Sequence, residues 1–264
     1  MEMSKVSVII PVFNSLPFLG NALNSVLPLP EVGEIILVDD GSTDGSFDLG
    51  LDLVGLDSRI KLLHHPGRIN KGASESRNLG ITNANCPYIA FLDSDDFYLP
   101  NRFKKTIEFL EGNLKYDGCF GKVEIRNENG DFVKFMGFPE KEINSDIFSL
   151  LLKGGYFHTN SITVRRDFFL KCGLFDPKLK VQEDVELWIR MAHIGNLYFL
   201  KEEKPLSVYI CRNNSLVSKS NGITRFTLWK TVSNRFLGKN ISFKNNAILI
   251  KQLIKWKVKS LISD

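Results

Sequence analysis

Polar side chains follow three predicted strands of the chain at the point where each strand ends. The first strand ends in PVFN (11–14), the second in DDGSTDG (39–45) and the fourth in DSDD (93–96). The carboxyl ends of parallel strands meet at one edge of an open α/β sheet, where ligands bind. Like charges 4 Å apart repel by roughly 4 kcal/mol at an effective dielectric near 20. The sequence therefore predicts that a cation balances this acidic cluster.

Asp93 and Asp95 stand two residues apart directly after a strand and offer hard oxygen ligands. Such ligands suit Mg²⁺ or Mn²⁺, and an ion held there can bridge to the diphosphate of a substrate. A calcium loop counted from Asp40 is the competing metal site, but its twelfth position is Leu51 rather than Glu. Taken singly, each acidic segment could also be an Asx turn or a helix cap.

Other phosphate-binding loops are not found. No GxGxxG follows the first strand and no P-loop pattern GxxxxGK(S/T) occurs anywhere in the chain. The sequence therefore argues against a dinucleotide dehydrogenase and against a P-loop NTPase. A bound diphosphate is expected to be held through the metal.

The elements that must position these residues alternate between strand and helix over the first hundred or so residues, which predicts a mostly parallel sheet covered by helices. Strands are predicted at 6–10, 34–38, 60–63 and 88–92, and helices at 16–26, 44–54, 73–84 and 101–113. A hairpin of strands 119–126 and 132–138 around the turn at 127–130 then makes the sheet mixed. Later elements are predicted as helices at 145–153, 167–172 and 183–194 and a strand at 161–164.

The composition is that of an ordinary soluble domain. Of the 264 residues, 43% are hydrophobic and 24% are charged, which excludes a fibrous, collagen-like or disordered chain. No apolar run approaches the length needed to cross a bilayer, and residues 1–6 lack the apolar core of a signal peptide, so a cytoplasmic location is expected. No CxxC pair occurs, which argues against a zinc site or a disulfide framework. The four separated cysteines are Cys86, Cys119, Cys172 and Cys211.

The net charge of +4 hides an uneven distribution. Residues 222–264 carry nine Lys or Arg and one acidic residue, whereas the first 221 residues carry 25 basic and 29 acidic residues. Within 246–263, Lys251, Lys255 and Lys259 form one stripe of a basic amphipathic helix, which could lie on an anionic membrane surface. The alternative is a helix that packs its apolar side on the domain. Nucleic-acid binding is not predicted, because the basic stretch has no recognised module.

Five segments in this order resemble the family 2 glycosyltransferases, which have the GT-A nucleotide-sugar-binding fold. The resemblance covers about residues 5–218, most of the chain. The segments are VSVIIPVFN (6–14), EIILVDDGSTDGS (34–46), NKGASESRNLGI (70–81), YIAFLDSDDFYLP (88–100) and GLFDPKLKVQEDVELWIRMA (173–192).

The resemblance implies an α/β fold of GT-A type, with a Rossmann-like, mostly parallel but mixed central sheet flanked by helices. The GT-A domain would cover 1–220, divided into a nucleotide-binding half (1–115) and an acceptor-binding half (116–220). Residues 221–264 would form a basic helical C-terminal extension.

The resemblance also implies roles for single residues at the donor. Asp93 and Asp95 would be the DxD pair, with Asp93 nearer the ribose and Asp95 nearer the metal, Mg²⁺ or Mn²⁺. Many relatives carry a Tyr-Arg-x-His pattern after the last strand, but here Asn213 stands nearest to the expected His. The residues expected at the nucleotide are Pro11, Phe13, Asp39, Asp40, Asn70, Lys71, Arg77, Asp93, Ser94 and Arg212.

Asp184, at the start of the predicted helix 183–194, matches the catalytic base of the family. It would deprotonate the acceptor hydroxyl, which attacks the anomeric carbon from the face opposite the diphosphate, so that the configuration inverts. A helix cap is the alternative role for this carboxylate. Glu183, His158 and Trp188 are further residues expected on the acceptor side.

The implied function is transfer of a sugar from a nucleoside-diphosphate sugar, with a UDP-sugar as the first expectation. The acceptor would be a saccharide or a lipid-linked saccharide in the synthesis of a surface polysaccharide, oligosaccharide or glycolipid. A sugar nucleotidyltransferase is one alternative, but the residues after the first strand, FNSLP (13–17), are not its Gly-rich basic loop. A catalytically silent binding module is another, but it would not need Asp184.

Overall fold

The computed structural model describes residues 5–138, 146–202, 204–212, 221–239 and 241–262. The described strands are β1 (Val6–Val12), β2 (Val32–Asp39), β3 (Ile60–His64), β4 (Tyr88–Phe91), β5 (Phe97–Tyr98), β6 (Gly118–Phe120), β7 (Val123–Asn127), β8 (Phe132–Met136), β9 (Thr163–Arg165), β10 (Leu197–Phe199) and β11 (Ser207–Cys211). The described helices are α1 (Leu16–Val26), α2 (Ser46–Leu56), α3 (Ala73–Asn83), α4 (Lys104–Gly112), α5 (Ile147–Leu152), α6 (Arg166–Cys172), α7 (Glu183–Ile194), α8 (Gly222–Phe236) and α9 (Phe243–Ser260).

Seven strands form the central sheet in the order β10-β6-β9-β4-β1-β2-β3. β1 pairs in parallel with both β2 and β4, and β2 pairs in parallel with β3. β9 runs antiparallel to β4 and to β6, and this makes the sheet mixed. The prediction of a mostly parallel, mixed sheet flanked by helices is confirmed. Because β1, β2 and β4 are parallel neighbours, their carboxyl ends deliver the three polar segments to one edge.

Both faces of the central sheet are buried. Alternate residues of β1 enter opposite cores: Ile9 belongs to one apolar cluster, while Val8 and Ile10 belong to the other. β2 divides in the same way, with Ile36 on one side and Leu37 on the other. A parallel strand covered on both faces reads as a continuous apolar run, which is why these two strands were visible in the sequence.

The structure corrects the predicted strand 119–126. Residues 118–120 form β6 of the central sheet, and the chain then enters a second sheet as β7. Gly121 separates the two strands, and a Cβ at this position would lie 2.6 Å from Leu206 Cδ1. The hairpin itself is present, because β7 and β8 pair antiparallel in a four-stranded sheet of order β5-β11-β7-β8.

The last two helices, α8 and α9, pack against each other, and α9 also contacts α5. Asn221 and Thr224 form a capping box at the start of α8, and Ser242 caps α9. An ion pair joins α8 to α7, because Nε of Arg235 lies 2.9 Å from Oε1 of the fully buried Glu186. Within the described residues, no helix combines the length and the apolar character needed to cross a membrane.

Candidate active site

The loop after β2 is held by two buried carboxylates that accept backbone N–H groups. Asp39 Oδ1 accepts the N–H of Gly41 at 3.1 Å and of Ser42 at 3.2 Å. Asp40 accepts the N–H of Lys71 with one oxygen, at 2.7 Å, and that of Gly72 with the other, at 2.8 Å. Asp39 therefore shapes its own turn, and Asp40 ties the end of β2 to the loop that enters α3.

The segment after β1 presents an aromatic ring beside this loop. Phe13, predicted at the nucleotide, is 49% exposed. Asn14 adopts a left-handed conformation (φ 49°), and its Oδ1 accepts the N–H of Thr43 at 2.8 Å. Ser15 is hydrogen-bonded at 2.7 Å to the buried Ser94, which links the ends of β1 and β4. Ser94 was predicted at the nucleotide, and its hydroxyl joins the loop after β1 to the loop after β4.

Two other predicted nucleotide residues, Asn70 and Lys71, are exposed in the loop before α3. This loop passes close to Gly41, where a Cβ would lie 2.7 Å from the carbonyl oxygen of Arg68. Gly41 also has φ +81°, so a glycine is required here for both space and conformation. Arg68 in turn stacks over the ring of Phe47 at 3.7 Å. The two loops therefore form one packed unit.

Arg77 joins the end of β4 to the start of α7. Its Nη2 donates to Oδ1 of Asp93 at 2.7 Å, and its Nη1 donates to Oε1 of Glu183 at 2.8 Å. Burial alone would raise the pKa of Asp93, but the Arg77 guanidinium brings it below its ordinary value. Burial raises the pKa of Glu183, and Arg77 offsets only part of that effect. Two segments 90 residues apart in the numbering, 93 and 183, are thus connected by one buried cation.

The second carboxylate of the DxD pair, Asp95, forms an ion pair with a different arginine, Arg212. Arg212, at the end of β11, donates from Nε to Oδ2 of Asp95 at 3.0 Å, and its guanidinium lies 3.8 Å from the ring centre of Phe18. Burial and the charge of Asp93 raise the pKa of Asp95. Arg212 was predicted at the nucleotide, and the structure places its side chain on Asp95 of the acidic cluster. Asn213 lies outside the described residues.

A third carboxylate, Asp96, was not among the predicted site residues. It is buried and accepts the N–H of Ile210 at 2.7 Å and the side-chain amide of Asn160 at 2.6 Å. Burial, together with the charges of Asp93 and Asp95, raises its pKa well above the usual value. Asp96 therefore connects β11 to the segment before β9. The DSDD run (93–96) shows that a carboxylate follows β4 at this position, but the sequence does not reveal its hydrogen-bond partners.

Among the described residues, Asp93, Asp96 and His158 form a group whose ligand atoms lie within 4.8 Å of one another, close enough to hold a cation. His158 was predicted on the acceptor side, and the structure places it beside the acidic cluster. Its Nδ1 accepts the N–H of Asn160 at 3.3 Å, and burial lowers its pKa. A neutral imidazole that accepts at Nδ1 carries its proton on Nε2. Nδ1 of His158 is therefore engaged with the backbone of Asn160.

Asp93 and Asp95 fit a divalent cation better than this group does. Each arginine uses one oxygen of its carboxylate, and both carboxylates retain exposed surface, 26% for Asp93 and 36% for Asp95. Asp96, by contrast, accepts hydrogen bonds with both oxygens. A pair of hard carboxylate oxygens with exposed surface is the kind of donor set that Mg²⁺ and Mn²⁺ prefer.

Asp184 lies in the first turn of α7, half-buried, where it can meet a substrate. Its Oδ2 accepts two hydroxyls, from Tyr156 at 2.8 Å and from Thr159 at 3.0 Å. Burial and the charge of Asp184 raise the pKa of Tyr156 well above its usual value, so the phenol remains a donor. Sequence reasoning missed both hydroxyl residues, although they stand on either side of His158, which it did single out.

The structure corrects the expectation for Trp188 and refines that for Glu183. Trp188 has no exposed surface and packs against the rings of Phe157 and Phe175, so it belongs to the core and does not line an acceptor cleft. Glu183 directs its carboxylate at Arg77. Asp184 and Glu183 are neighbours in the chain, but only Asp184 has hydroxyl donors.

The mostly parallel, mixed sheet with its flanking helices is that of the GT-A fold. The family profile described as "Glycosyl transferase family 2" matches residues 7–173, more than half of the chain. The chain therefore belongs to glycosyl transferase family 2. Four of the five segments that suggested this family lie within the matched residues apart from Val6, whereas the fifth, 173–192, lies beyond them apart from Gly173.

Relatives and solved structures agree with this assignment. The chain is 34% identical over 207 residues to a Rickettsia conorii protein named as an uncharacterized glycosyltransferase, covering 76% of this chain and 32% of that protein. It is 28% identical over 214 residues to TuaG of Bacillus subtilis, a proposed teichuronic acid biosynthesis glycosyltransferase, covering 81% of each. The structure of S. aureus TarS 1-349 in complex with UDP-GlcNAc superposes with a TM-score of 0.73 at 18% identity, covering 98% of this chain and 73% of that one. The chain spans about a third of the length of the first Rickettsia relatives.

Proposed function

We propose that the protein is an inverting glycosyltransferase that moves a sugar from a nucleoside-diphosphate sugar to an acceptor hydroxyl. One observation carries the proposal: the half-buried Asp184 lies next to Glu183, which Arg77 joins directly to Asp93. The carboxylate that can take a proton is thereby held close to the carboxylate that faces the donor. A module that only bound a nucleotide would have no use for a positioned base at this place.

In the proposed reaction, Asp184 accepts the proton of the acceptor hydroxyl while the oxygen forms a bond to the anomeric carbon. The bond between that carbon and the diphosphate oxygen breaks, and the electron pair leaves with the nucleoside diphosphate. Tyr156 and Thr159 hold one oxygen of Asp184, so the carboxylate is oriented before the acceptor arrives. General base catalysis of this kind contributes about 10²- to 10⁴-fold.

Asp93 and Asp95 would hold a Mg²⁺ or Mn²⁺ ion, which supplies Lewis-acid neutralisation of the charge on the leaving diphosphate. Arg212 contacts Asp95 in the structure and carries a positive charge at the same edge. The side chain of Arg212 is therefore available to contact the diphosphate once the ion occupies Asp95. Phe13 would stack on the base. Asp39 and Asp40 would hold the loop after β2 in its conformation through their hydrogen bonds to backbone N–H groups.

The proposed donor is a UDP-sugar, which is supported by the similarity of the fold to TarS in complex with UDP-GlcNAc. Thermal unfolding of the purified protein with UDP, GDP, CDP and their sugars, each with and without Mn²⁺, tests this directly. Binding to the folded state at a hundredfold excess over Kd stabilises by about 2.7 kcal/mol. We expect a rise in Tm with UDP compounds that depends on Mn²⁺. Equal shifts with all nucleotides, or none with any, would contradict the donor assignment.

Asp184→Asn tests the base. The amide keeps the size of the side chain and cannot accept the proton, so transfer should fall by at least about a hundredfold while the Mn²⁺-dependent Tm shift with UDP is retained. Asp167→Asn is the matched control, because Asp167 is also an acidic residue in the first turn of a helix, α6, and is exposed. Retention of most activity in Asp184→Asn would exclude it as the base.

We further propose that the acceptor is a saccharide of a cell-surface polysaccharide, free or lipid-linked, and that the enzyme works at the cytoplasmic face of a membrane. The similarity to TuaG over four-fifths of both chains supports the polysaccharide. Transfer of radiolabelled sugar into lipid-extractable and water-soluble acceptor fractions from a producing cell would separate the two kinds of acceptor.

A further inference from the structure

The helix α9 has two apolar sides, and only one of them packs on the protein. Its inner side buries Leu249 and Gln252, and Gln252 donates to the carbonyl of Leu152 at 3.2 Å. Its outer side carries Phe243, Ile250, Ile254 and Val258, spaced by seven, four and four residues, so that they lie on one line along the helix. These four residues, the outer stripe, are exposed by 91%, 46%, 59% and 51% in chain order.

Lysines flank the outer stripe on both sides. At 100° per residue, Lys257 lies on one side of Ile250 and Ile254, and Lys251 and Lys255 lie on the other. All three lysines are exposed. In the part of the chain that the structure describes, none of the three forms an ion pair with a carboxylate, while Lys255 and Lys257 lie about 5 Å from aromatic rings. The positive charges of these three lysines are therefore available to an anionic binding partner outside the domain.

We propose that the outer stripe of α9 and its flanking lysines bind the surface of an anionic lipid bilayer. An apolar stripe bordered by lysines on both sides is the pattern of a helix that lies in the plane of a membrane surface. A second copy of the chain fits less well, because pairing two outer stripes would bring the flanking lysines of both copies together. The proposal does not depend on the transfer reaction or on its donor.

Such a helix would hold the acceptor side of the enzyme at the membrane. α9 is attached to α5 through Asn245, which accepts from Ser149 Oγ at 2.8 Å. α5 ends four residues before Tyr156, whose hydroxyl contacts the proposed base. α8, the partner of α9, is tied to α7 by the ion pair between Arg235 and Glu186. The segment that follows α5 and carries Tyr156, and the helix α7 that carries Asp184, are thus both connected to the pair α8 and α9.

The test is sedimentation of the full chain with vesicles of pure phosphatidylcholine and with vesicles that contain 30% phosphatidylglycerol. We expect binding to the anionic vesicles that weakens as salt is added. Ile250→Gln, Ile254→Gln and Val258→Gln combined should weaken it by roughly tenfold or more. Lys251→Gln, Lys255→Gln and Lys257→Gln combined should weaken it by about a hundredfold, since each lysine near such a surface contributes about fivefold.

Two conservative triple variants serve as matched controls. Replacement of the same apolar residues by Leu, and of the same lysines by Arg, should leave vesicle binding within about twofold, because the apolar area and the charge are kept. All variants change solvent-facing residues, and glutamine is a good helix former, so circular dichroism and Tm should match the parent. Binding that survives either glutamine triple, equal binding to both vesicles, or no binding to either would overturn the proposal. A stable dimer that the apolar triple abolishes would assign the stripe to a second copy instead.

Discussion

The acidic residues at the edge of the central sheet fall into two regions that differ in what neutralises them. In the loop after β2, the carboxylates of Asp39 and Asp40 accept backbone N–H groups and are fully buried. In the cluster after β4, Asp93 and Asp95 are paired with the side chains of Arg77 and Arg212 and retain exposed surface. Backbone partners cannot leave without unfolding the loop, whereas an arginine side chain can move aside for a metal ion or a diphosphate.

We expect Asp39 and Asp40 to support the structure of the site, and Asp93 and Asp95 to act in it. We expect substitutions in the loop after β2 to reduce stability, and substitutions in the cluster after β4 to reduce binding and turnover. Within the cluster after β4, Arg77 holds the pKa of Asp93 low against burial, whereas burial and the charge of Asp93 raise the pKa of Asp95. A cation placed between the two would relieve their repulsion.

The largest effect should come from Asp95→Asn. Loss of a hard oxygen ligand should weaken Mn²⁺-dependent binding of the nucleotide by about a hundredfold or more, and transfer should fall with it. The free energy of unfolding should change by less than about 0.5 kcal/mol, because Asp95 is partly exposed and like-charged with Asp93. Isothermal titration with UDP and Mn²⁺ measures the first, and urea unfolding the second. Asp48→Asn, an exposed acid of α2, is the control.

Asp40→Ala should show the opposite behaviour. It removes the carboxylate that accepts two backbone N–H groups, those of Lys71 and Gly72, and a hydrogen bond to a charged group contributes about 1.5–3 kcal/mol. Urea unfolding should therefore give a loss of roughly 2–4 kcal/mol. Asp52→Ala, an exposed site on α2, should change stability by less than about 0.5 kcal/mol. An Asp40 variant as stable as the parent would remove the distinction between the two regions.

Tyr156→Phe should give a smaller effect. It tests a third kind of carboxylate, Asp184, which accepts hydrogen bonds from hydroxyl groups. Removal of the phenol takes away a hydrogen bond that orients the Asp184 carboxylate, so kcat should fall about tenfold while the Mn²⁺-dependent Tm shift with UDP is retained. Thr159→Val should act in the same direction, and Thr159→Ser, which keeps the hydroxyl, should restore the parent kcat. Steady-state kinetics measure kcat, and a fall in kcat that Thr159→Ser does not restore would contradict an orienting role for these hydroxyls.

The sequence alone predicted the parts of the site that depend on local patterns. Continuous apolar runs located β1, β2 and β4, and the residues that follow each run had to lie at one edge once the strands were parallel neighbours. The amphipathic pattern of 183–194 located α7 and thereby Asp184 at its first turn. The same pattern placed Trp188 on the apolar face, so its burial was available from periodicity, and the expectation of an acceptor contact was wrong for that reason.

The partners of these residues could not be predicted, because they are distant along the chain. Arg77 reaches Glu183 across 106 positions, and Arg212 reaches Asp95 across 117. The hydroxyls on Asp184 come from a segment with no regular period. In the C-terminal extension, the sequence located the basic amphipathic helix but not which apolar residues pack inward, since that depends on where α5 and α8 lie.

The smallest effect is expected for Glu34, a buried carboxylate at the other end of β2 from Asp39 and Asp40. It therefore tests a carboxylate that lies far from the cluster after β4. It accepts from Ser7 Oγ at 2.6 Å and from the backbone N–H of Asn85 at 3.0 Å, and it pairs with Lys61. Burial raises the pKa of Glu34, but Lys61 and these donors together bring it below the ordinary 4.5. A carboxylate with a lowered folded-state pKa stabilises the fold above its unfolded pKa, and this stabilisation is lost as the pH falls through the folded value.

Glu34→Gln should therefore lower the free energy of unfolding by about 1 kcal/mol at pH 7, while UDP binding stays unchanged. In urea unfolding, the difference in stability from the parent should shrink below about pH 4.5. A difference that stays constant down to pH 3 would mean that the charge of Glu34 does not contribute, and that shape and hydrogen bonding alone hold this end of the strand.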